Sequence, residues 1–196
     1  MQTGILKNIK SIVSLNTAEE DAFVSILEKK KISKKDFLLK QGQISDKIYF
    51  INQGCMRLFY DINANENTIH FLFSSNWHID YESFLTGKPS HENLQAIEPC
   101  DVIFLRKKDL YDLYNRFPVF ERLFRVMAEN AFLDLSRMNR MLINQEPEQR
   151  YQELVKQSPE LFDRIPHYYI ASYLGVKPET LSRIRKRVFN SETITA

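Results

Sequence analysis

The sequence predicts an α+β chain in three parts: an N-terminal antiparallel β-barrel of jelly-roll type, a long helix, and a C-terminal helix-turn-helix unit of winged-helix type. Three observations predict it. Between Ile32 and Lys107 the apolar runs are short, rich in β-branched and aromatic residues, and parted by turn residues, which is the pattern of a β-barrel or sandwich. From Val119 to Asn144 apolar residues recur at helical spacing with no proline or glycine between them. From His167 to Arg187 a small residue, a glycine and a set of apolar residues fall at helix-turn-helix spacing. The expected division is residues 1–118 for the barrel and its flanking helices, 119–146 for the long helix and a hinge, and 147–196 for the helix-turn-helix unit.

Residues 16–31 mix charge with Ala22, Phe23, Ile26 and Leu27, so a short amphipathic helix is expected, capped by Asn16 or Thr17. The strands that follow are read at Phe37–Leu39, Ile48–Ile51, Met56–Tyr60, Thr68–Phe73, Leu94–Ile97 and Val102–Leu105. Gly42 and Gly54 stand at strand ends, where a positive φ is often needed. No catalytic grouping is visible, and His70, His78, His91 and His167 lack metal-ligand spacing. A metal-dependent enzyme on the barrel is therefore not expected, and neither a metal nor a cofactor is predicted.

Lys108 to Arg116 reads as a short helix ending near Pro118. On the long helix, Phe120, Phe124, Met127, Ala131, Leu135, Met138 and Leu142 recur in steps of three and four, close to a heptad seam. This seam is expected to pair with a second copy of the chain while the helix also packs on the barrel. Pro147 then suits the first turn of a new helix, because its missing N–H has no partner to lose there. Ser158-Pro159 and Ile165-Pro166 punctuate the chain before the motif.

The motif reads IPHYYIASYLGVKPETLSRIRKRV, from Ile165 to Val188. Its first helix is expected over His167–Leu174, with Gly175-Val176-Lys177 as the turn and the second helix starting at Pro178. Ala171 allows the two helices to cross closely, and Gly175 supplies a left-handed backbone. At about 100° per residue, Leu181, Ile184 and Val188 share one face of the second helix, and Glu179, Ser182, Arg183 and Lys186 lie nearly opposite. A helix set in the major groove would present that polar set to base edges. Arg183 is expected to bond guanine O6 and N7. Glu179 either accepts from cytosine N4 or orients Arg183, although a plain i, i+4 salt bridge also accounts for the pair. Lys177, Thr180, Arg185 and Arg187 are expected on phosphates, which fix register rather than sequence.

Charge is distributed to match. The 196 residues carry 27 basic and 25 acidic side chains, for a net charge of +2. Lys177, Arg183, Arg185, Lys186 and Arg187 fall within eleven residues that hold one acid, Glu179. A local basic patch on a near-neutral chain suits an anionic polymer, here double-stranded DNA. Cys55 and Cys100 stand far apart, without zinc or iron–sulfur spacing. With no long apolar run, the expectation is a cytoplasmic protein that is not a membrane partner.

A β-rich N-terminal half, a long dimer-type helix and a C-terminal helix-turn-helix together resemble the Crp/Fnr family, the cyclic-AMP receptor protein and fumarate–nitrate regulator group. The sharpest match is YLGVKPETLSRIRKR at Tyr173 to Arg187, with the family's Glu and Arg four residues apart at Glu179 and Arg183. LLKQGQISDKIYFINQGCMRLFY, Leu38 to Tyr60, is similar to the family's effector barrel. The resemblance implies a cyclic-nucleotide-binding-like barrel and a homodimer on a palindromic operator, controlling transcription, often through RNA polymerase. It does not imply an enzyme. The cyclic-nucleotide binders carry Gly-Glu and Arg-Ser pairs, and at the corresponding places this chain has Ile79-Asp80 and Ser90-His91. Ile79 adds bulk, and Ser90 removes the phosphate cation. The expected effector, if any, is therefore a small molecule other than cyclic AMP or GMP. The alternative is a cyclic-nucleotide or other small-molecule sensor acting through protein contacts.

Overall fold

The computed structural model describes residues 3–157 and 161–193, so the expected break at Ser158-Pro159 lies outside the described residues. Two helices open the chain, α1 (Thr3–Lys10) and α2 (Thr17–Ser25). Asn16 caps α2 through a reciprocal box: its side chain accepts from the Glu19 amide at 3.0 Å, and the Glu19 carboxylate accepts from the Asn16 amide at 2.8 Å. The barrel strands are β1 (Glu28–Ile32), β2 (Phe37–Leu39), β3 (Lys47–Gln53), β4 (Cys55–Ile62), β5 (Asn65–Phe73), β6 (Trp77–His78), β7 (Asn93–Ala96) and β8 (Cys100–Arg106). A short helix, α3 (Tyr81–Thr86), lies between β6 and β7.

The strands form two four-stranded antiparallel sheets, β1-β8-β3-β6 and β2-β7-β4-β5. Alternation along β3 and β8 assigns their side chains. Tyr49, Ile51, Val102 and Phe104 fill the space between the sheets with Met56, Leu58, Leu72 and Leu94. Ile48, Phe50, Ile103 and Leu105 face the other way, under a cover of helices. Both strands are thus buried on both faces, which is why they read as continuous apolar runs. The reading of residues 16–31 as one helix stops short. Glu28 to Ile32 instead pair with Phe104 to Cys100 as an edge strand, and three successive lysines suit an edge that must not recruit another strand.

Gly54 joins β3 to β4 at φ +105, and a Cβ there would stand 2.6 Å from the Cys100 sulfur and 2.8 Å from the Pro99 carbonyl oxygen. Gly54→Ala is therefore expected to destabilise the fold by about 2 kcal/mol, through backbone strain and overpacking together. A urea-unfolding midpoint equal to that of the parent chain would contradict this.

After the barrel come α4 (Lys107–Arg116) and α5 (Val119–Asn144). The first turns of α5 belong to the barrel's helical cover. Phe120 is fully buried and stacks on Phe23 at 5.6 Å between ring centroids, and Phe124 is also buried there. The sequence places both on the dimer seam, whereas the structure uses them inside their own chain. Helical periodicity identifies an apolar face and not what covers it. The C-terminal unit comprises α6 (Pro147–Gln157), α7 (Leu161–Arg164), α8 (His167–Tyr173) and α9 (Pro178–Thr193).

Candidate nucleic-acid interface and its docking on the barrel

Helix α8 ends at Gly175, which has φ +69. The Val176 amide donates to the Ala171 carbonyl at 2.9 Å and the Gly175 amide to the Ser172 carbonyl at 3.1 Å. This pair of bonds is a Schellman stop, with glycine at the left-handed position. A Cβ on Gly175 would meet nothing nearer than Arg150 Nη2 at 4.0 Å, so conformation rather than space calls for glycine. Ile170, Ala171, Leu174, Leu181, Ile184 and Val188 are all buried between α8 and α9, as the motif's spacing requires.

The opposite face of α9 is open. Lys177, Glu179, Thr180, Ser182, Arg183, Arg185, Lys186 and Arg187 are all exposed. They are not equally free. Ser182 Oγ donates to the Pro178 carbonyl at 3.1 Å, Arg187 pairs with Glu148 at 3.1 Å, and Arg185 Nη1 lies 2.8 Å from His167 Nε2. No ion pair joins Glu179 to Arg183 among the described residues, so the intrahelical bridge that would explain both residues without a ligand is not formed. Among the described residues, Lys177 in the turn and Arg183 and Lys186 on the exposed face of α9 make no ion pair.

The helix-turn-helix is clamped to its own barrel. Arg57, on the outward face of β4, is 1% exposed. Its guanidinium lies between the rings of Phe59 and Tyr169, 3.8 Å from each centroid, and Nη2 bonds Glu66 at 2.5 Å. Beside it the Thr68 amide donates to Ser172 Oγ at 2.9 Å, and that hydroxyl donates to the Glu66 carbonyl at 2.8 Å. Burial pushes the Tyr169 hydroxyl up to about 12, so the ring facing the guanidinium stays neutral. Cys55, Phe71 and Ile97 of the barrel share one apolar cluster with Leu161, Ile165 and Ile170. Burial also pushes the Cys55 thiol up to about 12, which leaves it unreactive as a thiolate. Sequence reasoning missed this clamp, although a lone arginine inside the apolar run Met56 to Phe59 marks its place.

A family model described as a cyclic nucleotide-binding domain matches residues 29–117. The chain is 26% identical to the transcriptional activator protein Anr of Pseudomonas protegens, over 94% of this chain and 80% of that one. Among solved structures, the c-di-GMP responsive global regulator CLP of Xanthomonas campestris shares the fold with a TM-score of 0.72 at 13% identity, covering 90% of this chain and 93% of that one. FixK2 from Bradyrhizobium japonicum matches with a TM-score of 0.70 at 15% identity, over 85% and 86% of the two chains. The chain thus carries a cyclic nucleotide-binding domain over residues 29–117 and shares the overall fold of these solved regulators.

The residues expected to line an effector site have taken structural tasks. Asp80 is buried and caps α3, its Oδ1 accepting from the Ser83 amide at 3.0 Å. Ser90 is buried, its Oγ accepts from the Glu92 amide at 2.9 Å, and its backbone pairs with Gly42 and Gln43. Ile79 packs into the helix-covered cluster, and His91 is exposed. A different pair comes together instead, with His78 Nε2 3.1 Å from a Glu92 carboxylate oxygen. Glu92, Asp80 and Glu82 all oppose ionisation of Tyr60, after burial as the largest cause. From Asn76 to Gln95 the one lysine or arginine is Lys88, which is exposed. The region is acidic where a phosphate would need a cation.

In the far half of α5, Met138, Met141 and Leu142 line a small pocket with Thr68 and Ile69 of β5, and the other large apolar side chains are open. Phe132, Leu133, Leu135, Leu142 and Ile143 are each more than half exposed, from 51% for Leu133 to 73% for Ile143. Of the seven seam residues expected from the sequence, Ala131, Leu135 and Leu142 lie open, Met127 and Met138 are half-buried, and Phe120 and Phe124 are buried. No helix among the described residues is long and apolar enough to cross a membrane.

Proposed function

We propose that this chain is a sequence-specific DNA-binding regulator that acts as a cytoplasmic homodimer on a palindromic operator. Residues 1–118 form its effector-type domain, 119–146 its dimerisation helix and hinge, and 147–196 its DNA-binding domain. The observation that carries the reading is the split of α9 into a buried apolar face and an exposed face on which Arg183 and Lys186 make no ion pair among the described residues. Arg183 and Glu179 read base edges, together with Ser182 and Lys186. Lys177, Thr180, Arg185 and Arg187 hold phosphates, and the pairs made by Arg185 and Arg187 exchange for phosphate on binding. RNA polymerase is the expected further partner. The barrel does not take cyclic AMP, because Asp80 and Glu92 would repel its phosphate and Lys88, the one lysine or arginine from Asn76 to Gln95, is exposed.

The test is selection from a random DNA pool by the purified full chain, with and without a metabolite panel that includes cyclic AMP. The expected product is a two-fold symmetric site with half-site centres about 34 Å apart, bound more weakly as salt rises and indifferent to cyclic AMP. No enriched sequence would overturn the proposal. Arg183→Ala is expected to cost about 1–3 kcal/mol and to relax preference at one base pair of each half-site. An unchanged selected motif would remove Arg183 from base reading. The match of residues 29–117 to a cyclic nucleotide-binding domain favours a second reading, a small-molecule sensor acting through protein contacts. Ligand-dependent thermal stabilisation without DNA enrichment would select that reading.

A further inference from the structure

The barrel, the end of the long helix and the helix-turn-helix unit meet around a cavity of about 160 Å³. Thr68 and Ile69 of β5 form one side and Met138, Met141 and Leu142 of α5 another. Arg150 and Leu154 of α6, with Tyr173 of α8, close it. Ligand sites favour such junctions between parts. A cavity of about 150 Å³ lined by aliphatic side chains stays dry and takes one benzene ring, so this one has the size of a single six-membered ring with a substituent.

The wall sets the chemistry of the occupant. Its charged residues are Arg150 and Glu153, one of each sign, and both are engaged within their own chain. Arg150 Nη1 donates to the Gln145 carbonyl at 3.1 Å and Nη2 to the Leu174 carbonyl at 2.7 Å, while Glu153 accepts from Gln145 Nε2 at 3.1 Å. Neither an anion nor a cation finds an unmatched opposite charge here, and either would give up its hydration to enter. Met138 and Met141 bring two polarizable thioethers, which favour the edge of an aromatic ring about 5 Å away and adapt to its shape. Two hydroxyls lack partners. Tyr173 Oη makes no hydrogen bond among the described residues, and burial raises this phenol above its ordinary value, so it is a neutral group that can both donate and accept. Thr68 is buried in the wall, and its Oγ1 has no partner among the described residues. A buried hydroxyl left unmatched beside a cavity marks a missing partner.

We propose that this cavity binds a small uncharged aromatic molecule of one ring and one hydroxyl, of the phenol class. The ring lies against Ile69, Leu154 and the two thioethers, and the ligand hydroxyl pairs with Tyr173 Oη. The occupant touches all three parts of the chain beside the Thr68–Ser172 bond, so it braces the helix-turn-helix unit in the seat that Arg57 clamps. The site stands whether or not α9 binds DNA, and whether or not a ligand enters between the two sheets.

Methyl-labelled methionine spectra of the full chain, titrated with phenol at neutral pH, test the proposal. The chain has five methionines, Met1, Met56, Met127, Met138 and Met141. Met138 and Met141 should shift saturably, with one phenol per chain. Met56, between the sheets, and Met127, against the helix-covered cluster, should stay in place. Benzoate and benzylamine, charged at this pH, should shift none of them. Tyr173→Phe keeps the ring that packs on Phe71 at 5.6 Å. It should weaken phenol about fivefold and leave toluene, its isostere without a hydroxyl, unchanged. Leu154→Trp should fill the cavity and abolish the shifts. If Leu154→Trp does not fold, the contrast between phenol and toluene in Tyr173→Phe still decides. Four results would each overturn the proposal: no saturable shift at Met138 and Met141, shifts at Met56 or Met127 instead, phenol binding indifferent to Tyr173→Phe, or benzoate or benzylamine binding as well as phenol.

Discussion

Arg57→Ala is expected to lower stability by about 3–5 kcal/mol, and to do so by loosening the helix-turn-helix from the barrel rather than by damaging either part. The guanidinium fills the gap between Phe59 and Tyr169 and ties Glu66 to both. Truncation leaves a cavity lined by two rings, removes two desolvated cation–π contacts, and frees the Glu66 segment that holds Ser172. Because Glu66 is half exposed, the orphaned carboxylate finds water, and most of the loss comes from packing and ring contacts. The direction has a built-in control. Nε and Nη1 of Arg57 are buried without partners, a cost that an apolar side chain of similar length avoids. Arg57→Met should therefore recover much of the loss in global stability, while still lacking the tie to Glu66. Hydrogen exchange separates the two effects. The Thr68 amide, protected by Ser172 Oγ in the parent chain, should exchange faster in both variants, whereas the inter-sheet amides should stay slow. Unaltered protection at Thr68 in Arg57→Ala would show that the clamp is not what seats the unit.

Residues distant in sequence make this clamp, and distance sets what the sequence reveals. The Thr68–Ser172 bond spans 104 positions, and nothing local to either residue announces it. By contrast, the long helix runs over Val119–Asn144 as its periodicity indicates, and α9 begins at Pro178, because capping, breakers and a left-handed glycine are local signals. Short elements whose shape is imposed by neighbours were not legible. The Lys-rich β1 is a strand because β8 offers it an edge, and α3 follows from the cap that Asp80 supplies within the β6–β7 connection. Site residues divide in the same way. The polar strip of α9 follows from helical geometry, whereas the fate of Asp80 and Ser90 depends on backbone partners elsewhere in the barrel. The absence of lysine and arginine at Ile79-Asp80 and Ser90-His91 is local to the sequence, and the charges that oppose ionisation of Tyr60 are those of Glu92, Asp80 and Glu82.

Leu135→Asp is expected to separate the proposed dimer, raising its dissociation constant more than about 100-fold. Leu135 lies in the exposed stretch of α5, 61% exposed in a single chain, so the substitution removes little from the isolated fold. Five large apolar side chains exposed within twelve residues, Phe132 to Ile143, make a patch that a monomeric protein seldom carries. Pairing two such helices buries it at the spacing of Ala131, Leu135, Met138 and Leu142. A carboxylate at position 135 would enter that seam from both chains at once, so two buried like charges oppose assembly in a symmetric pair. Sedimentation equilibrium should show a monomer at concentrations where the parent chain is dimeric, with unfolding of the barrel little changed. Affinity for a full palindrome should then fall by a factor of about 100 or more, because the second half-site is no longer bound by a tethered partner. Affinity for an isolated half-site should stay as it was, since α9 is untouched. A Leu135→Asp chain that sediments as the parent does would move the proposed interface off this helix, and equal losses on half-site and palindrome would mean that the substitution acts on α9 rather than on pairing.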